Sequence, residues 1–159
     1  TMMTIAICDD MQVDARRLHK QLERIVPGSE FGYLKAAAFT GRIGKEKETY
    51  DAIFVNIDSK KVDGLETIRK IREKEMSMAV LFMSRSDEYY REAFDLFAYN
   101  YLLKPVTEET LEYVMKPLKK LLCNGNDDRV IHFSIAPGVY GAVQSGELYY
   151  QQSSYREFP

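Results

Sequence analysis

The chain has 159 residues, of which 45% are apolar and 29% are charged, and its formal net charge is −2 at pH 7. This is ordinary globular composition, long enough for one domain with its own core and a fragment of a second. The charge excludes a strongly basic nucleic-acid-binding chain, and no apolar run approaches the ~20 residues that cross a membrane. The N-terminus lacks a signal pattern, and we expect Cys8 and Cys123 to be reduced, so the predicted location is cytoplasmic.

The first half of the chain alternates predicted strands and helices. TIAIC (4–8) predicts a strand, and QVDARRLHKQLERIV (12–26) has the apolar spacing of a helix that Pro27-Gly28 ends. Further strands are predicted over 33–39 and 52–57, the second with the unbroken apolar run of a buried parallel strand. The polar segment between them, from residue 40, is too short and polar to predict a helix. LETIRKIREKE (65–75) predicts the next helix.

The alternation continues to residue 123. AVLFMS (79–84) and YNYLL (99–103) predict strands, separated by a helix over 86–98. Ser86 is the expected N-cap of that helix. The expected buried side chains are Tyr90, Ala93, Phe94 and Phe97, with Tyr89, Arg91 and Asp95 exposed. A last helix is predicted over 107–123, capped by Thr107 and bent at Pro117.

Five strand–helix units with short connections predict an α/β fold, a doubly wound five-stranded parallel sheet. After Cys123 the pattern changes. NGNDD (124–128) has the composition of a linker. Residues 129–159 alternate apolar and polar positions around Pro-Gly and Ser-Gly pairs, which predicts short antiparallel strands. Because this segment is too short to fold alone, we interpret it as the opening of an incomplete second domain.

Polar side chains lie at the ends of four of the predicted strands. The first strand ends in Asp9-Asp10, the third in Asn56 and the fourth in Ser84, and the fifth runs into Lys104. In a parallel sheet these ends share one edge. Carboxylate and amide oxygens suit Mg²⁺, and a hydroxyl with an ammonium group suits a phosphoryl group. Each residue alone is more simply explained as a cap, a turn or a solvated charge, so the prediction depends on their common position.

A family resemblance rests on longer segments. AICDD, YDAIFVNI, VDGLETIRKIRE and FMSRSDEYYREAFDLFAYNYLLKPV resemble the receiver domain of bacterial two-component response regulators. The AFDLFAYNYLLKP segment is most similar to regulators with a LytTR-type (LytR/AlgR) DNA-binding domain, and 129–159 resembles the first strands of that domain. The resemblance implies strand order 2-1-3-4-5 and the domains 1–123 (receiver), 124–128 (linker) and 129–159 (incomplete LytTR-type domain).

The resemblance also assigns a metal site and a cis bond by position. Asp9 and Asp10 match the acidic pair that holds Mg²⁺, and the backbone carbonyl of Asp58 matches a further ligand. The Lys104-Pro105 bond matches the cis peptide of the family.

Three further positions match the switch. Ser84 matches the hydroxyl that contacts the phosphoryl group, Tyr101 the aromatic residue that packs inward on activation, and Lys104 the lysine that pairs with the phosphoryl oxygens.

Asn56 departs from the family, because it lies where relatives have the phosphoacceptor aspartate. An amide is a poor nucleophile and carries no charge to hold a metal. Asn56 is either a deliberate replacement in an ordinary receiver or the native residue of a pseudo-receiver. The drifted loop Ser59-Lys60-Lys61 favours the native residue. A third reading makes Asp58 the acceptor. With Asn56 only two carboxylates remain, and nearby lysines can neutralise them, so Mg²⁺ binding is expected to be weak.

The predicted function is therefore that of a transcriptional response regulator that works without phosphorylation. A sensor histidine kinase or another regulatory protein is the expected partner, with a homodimer through the 86–123 face. DNA contact would need the missing part of the second domain. The alternatives are a protein-binding adaptor without a DNA role and a small phosphotransferase or hydrolase. The enzyme alternative lacks a Gly-rich phosphate loop and a nucleophile–base pair, so we expect no enzymatic activity.

Overall fold

The computed structural model describes residues 3–34, 50–58, 63–73, 77–123 and 139–141. Within them the strands are β1 (Thr4–Cys8), β2 (Glu30–Tyr33), β3 (Ala52–Asn56), β4 (Ala79–Ser84), β5 (Asn100–Leu103) and β6 (Val139–Gly141). The helices are α1 (Gln12–Ile25), α2 (Gly64–Arg72), α3 (Tyr90–Asp95) and α4 (Glu108–Cys123).

The strands form one sheet in the order β2-β1-β3-β4-β5-β6. The first five strands are parallel, which confirms the predicted doubly wound sheet and its order 2-1-3-4-5. β6 adds to the far edge in the antiparallel direction, with Tyr140 opposite Tyr101. The described segments therefore place the carboxyl ends of β1, β3, β4 and β5 side by side.

The core has two layers, one on each face of the sheet. On one face, Ile5, Ile7, Phe54 and Leu81 pack with apolar residues of α1 and α4; on the other, Ile53, Val55, Val80 and Phe82 pack with those of α2 and α3. Successive residues of a strand point to opposite faces, so a strand covered on both sides must be apolar throughout. All five residues of β3 are buried, and the strand is apolar from Ala52 to Val55, with the polar Asn56 at its end.

Two helices begin with a side chain that caps their first turn. The Asp63 carboxylate accepts the Glu66 N–H at 3.0 Å, and the Thr107 hydroxyl accepts the Thr110 N–H at 3.1 Å. These bonds satisfy N–H groups that have no partner within the helix. The cap predicted at Thr107 is confirmed, and α4 continues through Pro117.

The predicted strand over 33–39 is wrong at its start, because β2 spans Glu30–Tyr33. The backbone pairing is set by hydrogen bonds to the neighbouring strand: Glu30 N–H donates to Met3 O, and Leu34 N–H donates to Ile7 O. Gly32 lies against the Tyr50 side chain, which would have to shift to admit a Cβ, since a Cβ at Gly32 would be 2.8 Å from the Tyr50 hydroxyl oxygen. Residues 35–39 lie outside the described residues.

The predicted helix over 86–98 is also too long. α3 has six residues, and Ser86 does not cap it: its hydroxyl accepts the Glu88 N–H at 3.1 Å, in a turn before the helix. The Ser84 hydroxyl accepts the Ser86 N–H in the same way. Such turns compete with helix formation. Phe97, with φ +58°, ends the segment in the left-handed region.

The predicted burial along this segment is only partly right. Ala93 is buried, as predicted. Tyr90, Phe94 and Phe97 are only partly buried, and Tyr89 is partly buried where exposure was expected.

Among the described helices, none combines the length and apolarity needed to cross a membrane. Residues 124–138 and 142–159 lie outside the described residues, so the linker and most of the predicted second domain are not described. The division into domains stays a prediction.

Candidate functional site

Asn56, the last residue of β3, lies at the centre of the polar edge of the sheet. Its Nδ2 donates to the Asp9 carboxylate at 3.2 Å. Its Oδ1 accepts from the Lys104 ammonium group at 3.0 Å and from the Asp58 backbone N–H at 3.1 Å. Donors and acceptors are thus matched at both ends of the amide. The side chain is 7% exposed, so these bonds replace the water that it has lost.

Asp9 joins this network from the end of β1. Its Oδ1 also accepts the Met11 N–H at 2.9 Å, and its Oδ2 lies 3.9 Å from Lys104 Nζ. Burial raises the pKa of Asp9; the Met11 N–H, the Lys104 charge and the Asn56 amide oppose that rise, and Asp14 adds to it. Lys104 lies 4.0 Å from Asp14 Oδ2 as well. Asp10 is exposed beside Asp9.

Asp58 presents its carboxylate to the end of β4, whereas the predicted metal site used only its backbone carbonyl. Its Oδ1 accepts the Ser84 hydroxyl at 2.6 Å, and its Oδ2 accepts the Arg85 N–H at 2.9 Å. Ser84 is fully buried. Two donors from consecutive residues therefore converge on one carboxylate.

Tyr101 of β5 lies next to this pair. Its ring is 1% exposed, and its hydroxyl donates to the Ser86 carbonyl at 2.5 Å. Burial, foremost, raises the pKa of Tyr101 to about 12, and the Asp58 and Asp87 charges add to the rise while hydrogen bonds with Ser84 and Tyr89 oppose it. The Tyr101 side chain is therefore a neutral phenol in its inward position.

The loop after β5 completes the edge. The Lys104-Pro105 peptide bond is cis, as the resemblance implied. The Lys104 N–H donates to Ser84 O at 2.8 Å, which fixes the start of this loop on β4. A cleft of about 400 Å³ opens beside it, lined among others by Asp9, Asp14 and Arg17.

The structure thus brings Asp9, Asn56, Asp58, Ser84 and Lys104 into one network, with Asp10 and Tyr101 beside it. The contact of the Asp58 carboxylate with Ser84 and Arg85 was missed by sequence reasoning. One feature of the sequence indicated this contact, an acidic residue two positions after the end of a strand. The direction of a side chain at such a loop position does not follow from the sequence pattern. Lys60 and Lys61 lie outside the described residues.

The donor set does not fit a firmly bound Mg²⁺. Within the described segments, no three His, Cys, Asp or Glu side chains lie close enough together to enclose a metal ion. The Asn56 NH₂ group faces Asp9, where a metal ion would need an oxygen, and the Asn56 oxygen already has two donors. Weak Mg²⁺ binding stays a prediction.

Comparison with known proteins identifies the class. Residues 5–116 match the response regulator receiver domain family, and the chain belongs to it. It is 30% identical over 131 residues to an uncharacterized response regulatory protein of Vibrio cholerae, covering 78% of this chain and 49% of that protein.

Two further similarities concern the type of regulator and the fold. The chain is 26% identical to the sensory transduction protein LytR of Staphylococcus haemolyticus over 144 residues, covering 89% of this chain and 54% of LytR. It therefore spans about half the length of these two relatives. The response regulatory domain of the protein mrkE from Klebsiella pneumoniae has the same fold, with a TM-score of 0.66 at 22% identity, over 74% of this chain and 96% of that domain.

Proposed function

We propose that this chain is the receiver part of a LytR/AlgR-type regulator of transcription, and that it acts without accepting a phosphoryl group at Asn56. The single observation that carries the proposal is the set of bonds around the Asn56 amide. A carboxamide is not a competent nucleophile, and here its oxygen is already held by Lys104 and by the Asp58 N–H. The likeness to LytR and the resemblance of 129–159 to a LytTR-type domain support the role in transcription.

The receiver would then control the binding of its partners through a change of conformation, without phosphoryl transfer. A kinase or another regulatory protein is the expected partner, and the homodimer through the 86–123 face belongs to the same proposal. Exposed Arg91 and Asp95 on α3 and the 43% exposed Tyr113 on α4 are available to such a contact. Equilibrium sedimentation of the chain tests it, and a monomer over the whole concentration range would contradict it.

Incubation with acetyl phosphate and Mg²⁺, followed by intact-mass measurement, tests the proposal. We expect no gain of a phosphoryl group by the chain, and a gain by the Asn56→Asp variant. A stable gain by the unchanged chain would contradict the proposal. Peptide mapping would then decide whether Asp58 had accepted the group. The variant is also the positive control, since its modification shows that the phosphodonor is active.

A further inference from the structure

The end of β4 presents two hydrogen-bond donors that already hold an anion from within the chain. The Ser84 hydroxyl and the Arg85 N–H converge on the two oxygens of the Asp58 carboxylate, at 2.6 and 2.9 Å. Hydrogen bonds to a carboxylate are charge-assisted and about twice as strong as neutral ones. The geometry is that of a small site for an oxyanion, here called the Ser84–Arg85 cradle.

We propose that Asp58 is the built-in ligand of the Ser84–Arg85 cradle, that it excludes free oxyanions from it, and that it holds Tyr101 inward through the loop after β4. This deepens and rests on the proposed function, because it names the group that replaces an external anion at that site.

A continuous set of bonds links Asp58 to Tyr101. The Ser84 hydroxyl donates to Asp58 and accepts the Ser86 N–H at 3.1 Å. The Ser86 carbonyl in turn accepts the Tyr101 hydroxyl at 2.5 Å. A hydroxyl has one proton, so the direction of the Ser84 bond is set by the carboxylate, which can only accept. The position of the Ser84–Ser86 turn therefore depends on the carboxylate.

The internal carboxylate has two advantages over a free oxyanion. It is tethered, so its effective concentration at the cradle exceeds that of a solute. Its backbone is also held, since the Asp58 N–H donates to Asn56 Oδ1 at 3.1 Å. A free anion must displace it against the repulsion of a like charge. Occupation of the cradle reduces the apparent affinity for the free anion to the intrinsic affinity multiplied by the fraction of molecules in which the cradle is open.

Titration of the ¹⁵N-labelled 159-residue chain with inorganic phosphate, without Mg²⁺, tests the proposal by backbone amide shifts. For Asp58→Ala we expect saturable shifts at Ser84 and Arg85, with an apparent affinity about tenfold or more above that of the unchanged chain. The matched control is Glu30→Ala, which removes an exposed carboxylate at the start of β2, outside the 86–123 face, and changes the net charge equally. We expect it to titrate like the unchanged chain.

Tyr101 supplies the second measurement. Labelling with 3-fluorotyrosine, with the Tyr101 signal assigned from Tyr101→Phe, reports the ring environment. We expect a shifted or broadened Tyr101 signal in Asp58→Ala, its return on saturation with phosphate, and no change in Glu30→Ala. Asp58→Asn keeps one acceptor oxygen and should be intermediate in both measurements; it stands in if Asp58→Ala does not fold.

The proposal is overturned if the Asp58 variants bind phosphate no better than the unchanged chain, or if Glu30→Ala gains as much. An unmoved Tyr101 signal in a folded Asp58 variant would overturn the link to Tyr101. None of these measurements involves phosphoryl transfer. A chain that took up a phosphoryl group would contradict the proposed function without changing the outcome of the phosphate titration. A negative titration would overturn the proposal on the Ser84–Arg85 cradle without changing the outcome of the mass measurement.

Discussion

At the end of β3, the Asn56 side chain bridges a carboxylate and an ammonium group. Its NH₂ group faces Asp9 and its oxygen faces Lys104. An aspartate there would place two carboxylate oxygens near 3.2 Å from each other. Lys104 offsets only one of these two charges, so the repulsion that remains favours a proton or a bound cation. The amide therefore gives the Asp9 carboxylate and the Lys104 ammonium group hydrogen-bond partners at this buried edge of the sheet without a metal ion.

Asn56→Asp should make stability depend on Mg²⁺. Without metal we expect the free energy of unfolding to fall by about 1–3 kcal/mol, because a buried hydrogen bond is replaced by repulsion. Added Mg²⁺ should restore it, since the site then has three carboxylates. Urea unfolding in EDTA and in Mg²⁺ measures both effects.

Asn56→Ala is the control for this change. It removes the amide without adding a charge, so it should lose stability in EDTA and recover nothing with Mg²⁺. Equal stability of Asn56→Asp in EDTA and in Mg²⁺ would contradict the account of the amide as a substitute for the metal ion.

The raised pKa of Tyr101 predicts that the folded state loses stability in alkali. Burial raises its pKa to about 12, while an unfolded tyrosine titrates near pH 10. Between these values the folded state binds more protons than the unfolded state, so stability falls as pH rises. The stabilisation is complete below about pH 10 and is lost towards pH 12, at up to about 1.4 kcal/mol per pH unit. Urea unfolding between pH 9 and 11.5 measures this slope.

Tyr101→Phe should be less stable at pH 8, since its hydrogen bond to Ser86 O is lost, but its stability should fall less steeply above pH 10. The 43% exposed Tyr113, changed to Phe, is the matched control and should keep the slope of the unchanged chain. Parallel slopes for Tyr101→Phe and the unchanged chain would show that another group causes the loss.

Part of the site was predictable from the sequence. Asp9, Asn56, Ser84 and Lys104 lie at strand ends, and parallel strands end at a common edge, so strand prediction alone brings these residues together. The Asp58 carboxylate lies in a loop, where the direction of a side chain depends on torsion angles that no periodicity encodes. Its contact with Ser84 and Arg85 therefore had to be observed.

At the scale of elements, a buried arginine joins α2 to the end of α3. Arg72 is 8% exposed, and its guanidinium donates to the carbonyls of Leu96, Phe97 and Met78 at 2.8–3.1 Å. Carbonyls at a helix end have no partner within the helix. Arg72 thus supplies the C-terminal cap of a helix that is only six residues long.

Arg72→Met should therefore destabilise the fold strongly, by about 2–4 kcal/mol, because several buried carbonyls lose their donors. Hydrogen exchange should increase mainly over 90–97. Urea unfolding and exchange mass spectrometry measure the two effects. Arg69→Met is the control on the same helix: Arg69 is 50% exposed and pairs with Glu66, so its loss should cost under about 1 kcal/mol. Equal losses for both variants would contradict the capping role.

The same region explains why element boundaries were harder to predict than element order. The apolar spacing over 86–98 resembles a longer helix, but the hydroxyls of Ser84 and Ser86 hold the backbone before Tyr90 in turns. A distant side chain, Arg72, then holds its end. Both determinants are tertiary or short-range polar contacts that apolar periodicity does not register.

At the scale of the whole molecule, the sheet ends in a strand that comes from the region after the predicted linker. β6 pairs with β5 in the antiparallel direction over Asn100–Leu102. The outer edge of a sheet offers unpaired N–H and C=O groups, and proteins commonly cover such an edge. β5 also carries Tyr101, so β6 pairs with the strand whose Tyr101 matches the switch residue of the family.

Ending the chain at residue 123 should uncover the β5 edge without unfolding the rest, since β1 to β5 and the four helices precede that point. We expect faster amide exchange over 100–103, little change in β1 and β3, and a greater tendency to self-associate in sedimentation. A Val139→Pro, Tyr140→Pro double variant is the matched test in the intact chain. Opposite residues alternate between bonded and non-bonded pairs, so two adjacent prolines remove a donor in either register. If both variants exchange β5 amides at the rate of the unchanged chain, β6 does not protect this edge in solution.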